Sequence, residues 1–164
     1  MVGDSQSVKS AHGGEQIGFD GGKKVHGRKR QVIADTIGLL WHVDVQAANT
    51  HDSKGIVGAF REALSNLPRL WKAYLDLGYV GTIVHVLNEM HVEVVLPEHK
   101  SGSGFVPESQ RWVIERTIGW LAWFRRLARD YETTVLASAN WIRLAGIRFA
   151  LSKFTRGDTQ WAKS

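Results

Sequence analysis

The sequence predicts an α/β domain in which a mixed β-sheet carries helices on its faces. A leading group of β-like segments is followed by helices and strands that alternate along the chain. The chain has 164 residues, 43% of them hydrophobic, and seven Trp, which is enough apolar material for a buried core. We expect one domain over residues 1–154 and a C-terminal tail over 155–164.

The first third of the chain predicts most of the sheet. The assignments in order are a strand over 1–10, a loop rich in Gly and charge over 11–30, and a β-hairpin over 31–35 and 39–47. Alternation along the first strand places Asp4 on one side and Ser5 and Ser7 on the other. Thr36-Ile37-Gly38 suits the hairpin turn.

The remaining segments alternate between helix and strand. The assignments are a helix over 54–66, a strand over 71–75, a turn over 77–81, a helix over 82–90, a strand over 92–96, a Gly/Ser-rich linker over 98–107, a long helix from 111 to about 132, and a last helix over 137–154. The long helix has one apolar side, whereas Arg111, Glu115, Ala122 and Arg126 lie on the other. The predicted core residues of the last helix are Trp141, Leu144, Ile147, Phe149 and Leu151.

The charge balance favours an anionic partner. The net charge of +5 and the pI of about 9.7 indicate nucleic acid first and an anionic membrane surface second. The loop over 11–30 is interpreted as a phosphate-contacting arm or as a solvated loop, and its cations are Lys23, Lys24, Arg28, Lys29 and Arg30. No secretion signal or membrane-length apolar run is present, so we expect a cytoplasmic protein without a membrane partner.

The absence of cysteine excludes disulfides, thiolate zinc sites and cysteine nucleophiles. Three acids stand out by position instead: Asp4 on the first strand, Asp76 at the end of a later strand, and Glu115 on the long helix. Carboxylates at strand ends and on an adjacent helix can converge and hold Mg²⁺, which prefers oxygen ligands. Close carboxylates repel one another, so at least one pKa should be raised without metal. Acids at strand ends are common, and the spacing alone does not identify such a site.

Four strings in one order make the prediction more specific. They are D-S-Q-S-V-K from Asp4, D-G-G-K-K-V-H-G-R-K-R from Asp20, L-D-L-G-Y-V-G from Leu75, and R-W-V-I-E-R-T-I-G-W-L-A-W-F-R-R-L-A-R-D-Y-E from Arg111. Together they resemble the catalytic domain of a bacterial insertion-sequence transposase. The group is the Asp-Asp-Glu (DDE) superfamily, of the insertion-sequence four/five kind, and the resemblance runs from about Asp4 to Phe154.

The resemblance implies a ribonuclease-H-like fold and a metal-dependent DNA transposase. It implies that Asp4, Asp76 and Glu115 are catalytic and bind Mg²⁺, with Mn²⁺ as the alternative, and that Arg111 precedes the Glu by four residues. The implied partners are DNA, both the terminal inverted repeats of the element and its target, with strand cleavage followed by strand transfer. Because two ends are joined, a dimer on DNA is expected, associated with the nucleoid when bound.

Three departures from the family pattern leave alternatives open. Glu108 stands where the family has Tyr and Ala122 where it has Lys, and Arg125 or Arg126 is expected to supply the missing phosphate contact. Only three residues precede Asp4, which predicts a separately encoded N-terminal DNA-binding part or a decayed copy. The first alternative is therefore a truncated remnant that binds DNA or full-length transposase without cutting. The second is an unrelated metal nuclease on the same fold.

Overall fold

The structure, a computed structural model, describes residues 1–67, 70–79, 81–96 and 111–155. The strands are β1 Val2–Lys9, β2 Gly18–Asp20, β3 Val25–Ala34, β4 Leu40–Ala47, β5 Lys72–Tyr74 and β6 Glu93–Val95. The helices are α1 Asp52–Asn66, α2 Thr82–Glu89, α3 Arg111–Ala122 and α4 Val135–Thr155, with 3₁₀ turns at Leu77–Tyr79 and Arg125–Leu127. None of the described helices combines the length and the apolar character that a membrane crossing requires.

β1 lies at the centre of a mixed sheet. It pairs antiparallel with β3, from Val2 opposite Ala34 to Lys9 opposite Gly27, and parallel with β5 through Val2 and Tyr74. β3 pairs along its other edge with β2 and β4, and β5 pairs parallel with β6. The strand order is therefore β2-β3-β1-β5-β6 with β4 also paired to β3, which confirms the predicted α/β class and is consistent with a ribonuclease-H-like fold.

The helices cover the two faces of the sheet. Ile33 of β3 packs with Phe60 of α1 and Leu87 of α2 in a core on one face. On the other face, Ile114 of α3 packs against Val2, Val32 and Ala34, and Ile142 of α4 packs against Val43 and Val45. Alternate residues of β3 thus enter opposite cores, as the period of two in a strand requires.

Most of the predicted elements are confirmed, including the hairpin at residues 36–38 and the alternation of α1, β5, α2 and β6. The loop predicted over 11–30 is wrong at two places, because Gly18–Asp20 form β2 and residues from Val25 onward form β3. This strand is long and well paired on both edges, and its polar residues concealed the β pattern. The linker over 98–107 and residues 156–164 of the tail lie outside the described residues.

The long helix is shorter than predicted. α3 ends at Ala122 rather than near residue 132, and Phe124 has an extended backbone with φ of −74° and ψ of 114°. The break brings Leu127 into the core with Val43 and Val45, where its side chain is 3% exposed. Tertiary packing therefore overrides a helical pattern that contains no Pro or Gly at the break.

The predicted core side of α4 is wrong for four of its five residues. Trp141, Leu144, Ile147 and Leu151 are exposed, whereas Phe149 is half-buried with its ring 4.2 Å from that of Trp120. The buried residues are Ser138, Ala139, Ile142, Ala145 and Gly146. α4 lies so close to β4 that a Cβ at Gly146 would stand 2.7 Å from Leu40 Cδ2. Close approach of a helix to a strand selects small residues, and the large apolar side chains point away.

Candidate active site

Asp4 and Asp76 lie at the same level of two parallel neighbouring strands, Asp4 within β1 and Asp76 just beyond the end of β5. Val2 of β1 pairs with Tyr74 of β5, and each acid follows two residues later. This register brings the backbone of Asp4 level with that of Asp76. The two charges are close enough for Asp76 to raise the pKa of Asp4.

The turn after β5 adds a third side chain to this pair. Tyr79 N–H donates to the Asp76 carbonyl at 3.0 Å, which closes the 3₁₀ turn Leu77–Tyr79. The turn brings the buried Tyr79 back over β1, where its hydroxyl donates to Asp4 Oδ1 at 3.2 Å. Burial first, and then the charge of Asp4, raise the pKa of Tyr79, so the phenol stays a hydrogen-bond donor to the carboxylate.

The environment of Asp4 suits a cation. Burial is the largest cause that raises the pKa of Asp4, and the charge of Asp76 raises it further. The hydrogen bond from Ser5 N–H at 2.7 Å, the hydrogen bond from Tyr79 and the charge of Lys23 lower it in part. A divalent cation between the two carboxylates would remove the repulsion and replace lost hydration. Two carboxylates also match the one or two that Mg²⁺ commonly takes from protein. The carboxylate oxygens of Asp4 and Asp76 are therefore ligands of a kind that fits a magnesium site.

Glu115 approaches this region from α3 but is not gathered into it. Thr117 Oγ1 donates to the Gly38 carbonyl at 3.1 Å, beyond the end of β1 at which Val2 lies. At about 100° per residue, Glu115 lies on the side of α3 away from that contact. Glu115 is exposed, and the described residues contain no group of three His, Asp or Glu side chains placed to hold a metal.

A polar network on the opposite face of β1 was not predicted. Ser5 Oγ donates to Asp52 Oδ1 at 2.9 Å, and Lys29 Nζ contacts the same oxygen at 2.6 Å. Ser7 Oγ donates to Asp20 at 2.6 Å, and this bond is the largest cause that lowers the pKa of Asp20 to about 2. The network fixes β1 to the first turn of α1. The sequence signal for this network was the alternation along β1, which places Ser5 and Ser7 on the face opposite Asp4.

The proposed basic arm is divided between surface and core. Lys23 and Lys24 are exposed in the turn between β2 and β3, whereas Arg28, Lys29 and Arg30 are 0%, 5% and 2% exposed. The assignment of these three to an exposed arm is therefore wrong, because they are strand residues with internal partners. Arg28 forms an ion pair with Asp130 at 3.0 Å, and burial lowers the pKa of Arg30 to about 10.

The remaining predicted cations follow or begin α3. Arg125 and Arg126 are exposed in the 3₁₀ turn after the helix, and Arg126 pairs with Glu132 at 2.8 Å. Arg111 is the first residue of α3, and its side chain lies outside the described part of the structure, as does Glu108. Ala122 ends the helix at an exposed position.

Part of the chain matches the model of a known protein family. No curated protein matches the chain. The model of the transposase DDE domain family matches residues 2–105, which include Asp4 and Asp76, while Glu115 lies beyond the matched range. The match covers more than half of the 164 residues. With this match and its two acids on neighbouring parallel strands, the chain belongs to the transposase DDE domain family, whose members act on DNA in transposition.

Proposed function

We propose that the domain catalyses metal-dependent cleavage and strand transfer of DNA at the ends of an insertion sequence of the four/five kind. The observation that supports this most directly is the register of β1 and β5, which sets Asp4 beside Asp76. The substrates are the terminal inverted repeats and the target DNA, and the protein acts as a dimer that joins two ends.

Each residue of the site has a role in the proposal. Asp4, Asp76 and Glu115 would hold Mg²⁺ or Mn²⁺. Such a metal would supply Lewis-acid activation of the attacking water or 3′-hydroxyl and charge stabilisation of the leaving oxygen. Tyr79 fixes the orientation of the Asp4 carboxylate through its hydroxyl. Glu115 reaches the pair through adjustment of α3.

Phosphate contacts surround the acids in this proposal. Lys23 and Lys24 bind the DNA backbone beside Asp4, and Lys23 Nζ already lies 3.5 Å from the Ser5 carbonyl. Arg111, Arg125 and Arg126 serve the same purpose at the two ends of α3. Such contacts give affinity without sequence preference, which should fall steeply with salt.

The test is a cleavage and strand-transfer assay on inverted-repeat DNA with Mg²⁺ or Mn²⁺. Wild type should cut and join, whereas Asp4→Asn and Glu115→Gln should lose roughly 10³-fold or more in rate and still bind DNA. This loss corresponds to several kcal/mol of transition-state stabilisation. Asp44→Asn, which changes an acid on β4, is the matched control and should cut normally.

A second function is favoured by two observations. The described residues contain no complete three-acid group, and Ala122 replaces the expected phosphate-binding Lys. In this alternative the protein binds DNA or full-length transposase without cutting. Binding without cleavage under either metal would establish it, and cutting of any DNA without strand transfer would indicate a nuclease instead.

A further inference from the structure

β1 loses one of its two neighbouring strands just before the position of Asp4. β5 pairs with β1 through Val2 alone, whereas β3 pairs with β1 along its whole length. Among the described strands, only β3 is therefore paired with β1 from Gly3 to Lys9. Side chains that hold this part of β1 from outside the sheet can then affect the position of Asp4.

Ser5, the residue after Asp4, is attached to a helix on the opposite face of the sheet. It is buried, and its hydroxyl donates to Asp52 Oδ1 at 2.9 Å. Asp52 is the first residue of α1. The strand is thereby joined to α1 at the residue adjacent to the acid.

Lys29 of β3 fixes the acceptor of this hydrogen bond. Its Nζ lies 2.6 Å from Asp52 Oδ1 and donates to the Thr50 carbonyl at 2.7 Å. The Lys29 side chain is 6% exposed, and a buried ammonium requires a partner of opposite charge. The Asp52 carboxylate is therefore held beside Lys29, and the Ser5 hydroxyl has an acceptor in a fixed place.

Ser5 acts on Asp4 in two ways. Its N–H donates to Asp4 Oδ1 at 2.7 Å. Its side chain also lies beside the Tyr79 phenol: burial first, and then the charge of Asp4, raise the pKa of Tyr79, and a hydrogen bond with the Ser5 side chain lowers it in part. The Tyr79 hydroxyl donates to the same Asp4 Oδ1 at 3.2 Å. Both hydrogen bonds thus end on one oxygen, and Oδ2 takes part in neither.

We propose that Ser5 is a positioning residue for metal binding: anchored by the ion pair of Asp52 and Lys29, it holds Asp4 Oδ1 toward the protein and leaves Oδ2 to the metal. The presence of a metal at Asp4 rests on the proposed function. Removal of an outer hydrogen bond that orients a metal ligand typically lowers metal affinity about 10–100-fold. Ser5 itself contacts neither metal nor DNA in this arrangement.

The experiment measures Mn²⁺ affinity through the paramagnetic resonance signal of free Mn²⁺, together with the free energy of unfolding. Ser5→Ala removes the hydroxyl and keeps the N–H, and it should weaken Mn²⁺ binding on the order of 10-fold. Ser5→Thr should retain most of the affinity, because it keeps the hydroxyl and its β-branched side chain suits a strand. Asp52→Asn keeps an oxygen for Ser5 but loses the ion pair, so its affinity should fall less.

Ser7→Ala is the matched control. Ser7 lies on the same face of β1 as Ser5, and its hydroxyl donates to a carboxylate, Asp20 Oδ2, at 2.6 Å. The substitution removes the same chemical group three residues away from Asp4. Both alanine variants should lose similar stability, whereas only Ser5→Ala should lose Mn²⁺ affinity.

A metal-free measurement separates this inference from the proposed function. The NMR chemical shift of the Ser5 amide proton reports its hydrogen bond to Asp4 Oδ1. Asp52→Asn leaves residue 5 unchanged, and the signal should move upfield as that bond loosens. In Ser7→Ala the signal should stay at its wild-type position.

A folded Ser5→Ala protein that binds Mn²⁺ as tightly as wild type overturns the inference and leaves the proposed function standing. Equal loss of affinity in Ser5→Ala and Ser7→Ala also overturns it, since it indicates general loosening of β1. A wild-type protein that neither binds Mn²⁺ nor cuts DNA refutes the proposed function. In that case an upfield shift in Asp52→Asn supports the orientation of Asp4 by Ser5, and an unmoved signal refutes it as well.

Discussion

The acid pair and Glu115 are positioned by different structural means, and the structure brings only the two aspartates together. Asp4 and Asp76 are held by the register of two parallel strands, which backbone hydrogen bonds fix. Glu115 is held by α3, which packs on the sheet through Ile114 and bonds to the hairpin turn through Thr117. Strand register thus fixes the relative position of two side chains through backbone hydrogen bonds. The position of a side chain on a helix depends instead on the tertiary contacts that place the helix on the sheet.

The segment between α3 and α4 links the helices to β1 and β3 of the sheet. Arg28 of β3 pairs with Asp130 and also donates to the Glu132 and Thr133 carbonyls. Asp130 N–H donates to the Lys9 carbonyl of β1. The buried cations of β3 are thus structural links between the sheet and the helical layer that carries Glu115.

The largest expected effect comes from breaking this junction with Asp130→Asn. The Arg28 charge would remain buried, 0% exposed, without its carboxylate. Loss of one partner of a buried ion pair costs about 3–5 kcal/mol in the free energy of unfolding. Denaturant titration measures this loss. Arg126→Gln is the matched control, since its exposed pair with Glu132 should contribute only about 0–1 kcal/mol.

If Asp130→Asn proved no more destabilising than Arg126→Gln, the junction would not be the link that positions α3. Glu115 would then have to be held by its local contacts with the sheet alone.

Metal binding distinguishes the two regions more directly. At roughly a hundred times its Kd, Mn²⁺ should stabilise wild type by about 2.7 kcal/mol. For a chain of this size the melting temperature rises about 2–4 °C per kcal/mol. Asp4→Asn should abolish the shift, and Glu115→Gln should retain a reduced one, because the strand-held pair already forms two-thirds of the proposed ligand set.

The opposite ranking, in which Glu115→Gln abolishes the shift and Asp4→Asn retains it, would contradict the proposal that the acid pair on the sheet is the main metal-binding element. Asp44→Asn should show the full wild-type shift and serves as the control.

The sequence predicted what depends on local pattern. Strand assignments indicated that Asp4 and Asp76 could lie close together, whereas the hydrogen bond from Tyr79 to Asp4 was not predicted. The partners of the buried cations could not be predicted, because Arg28 and Asp130 are 102 residues apart in sequence. The buried side of α4 was missed because hydrophobicity favours Leu144 over Gly146, whereas close packing against Leu40 requires the glycine.

A smaller effect is expected from Tyr79→Phe, which removes one hydrogen bond from Asp4. The loss should cost about 1 kcal/mol of stability. The Tyr79 bond lowers the pKa of Asp4, so its removal should raise that pKa further. A carboxyl whose pKa is raised on folding makes stability fall as pH rises from its unfolded pKa through its folded pKa. Without metal, the free energy of unfolding of the variant should therefore keep falling with rising pH to a higher pH than that of wild type.

Unfolding free energies measured across acidic to neutral pH test this prediction. Tyr131→Phe removes a hydroxyl from an exposed tyrosine and should leave the pH profile unchanged. A Tyr79→Phe profile that coincides with wild type would show that the hydroxyl does not act on the Asp4 carboxylate.

The smallest effects are expected at the exposed lysines, and they differ between neighbours. Lys23→Gln and Lys24→Gln should each weaken DNA binding modestly and reduce the salt slope by about 1. Lys23 also lowers the pKa of Asp4 through its charge, so only Lys23→Gln should raise the pH below which metal binding is lost. Lys54→Gln on α1 is the control for general loss of charge. An equal pH shift in both loop variants would indicate that the summed charge of the turn acts on the acid pair, rather than Lys23 in particular.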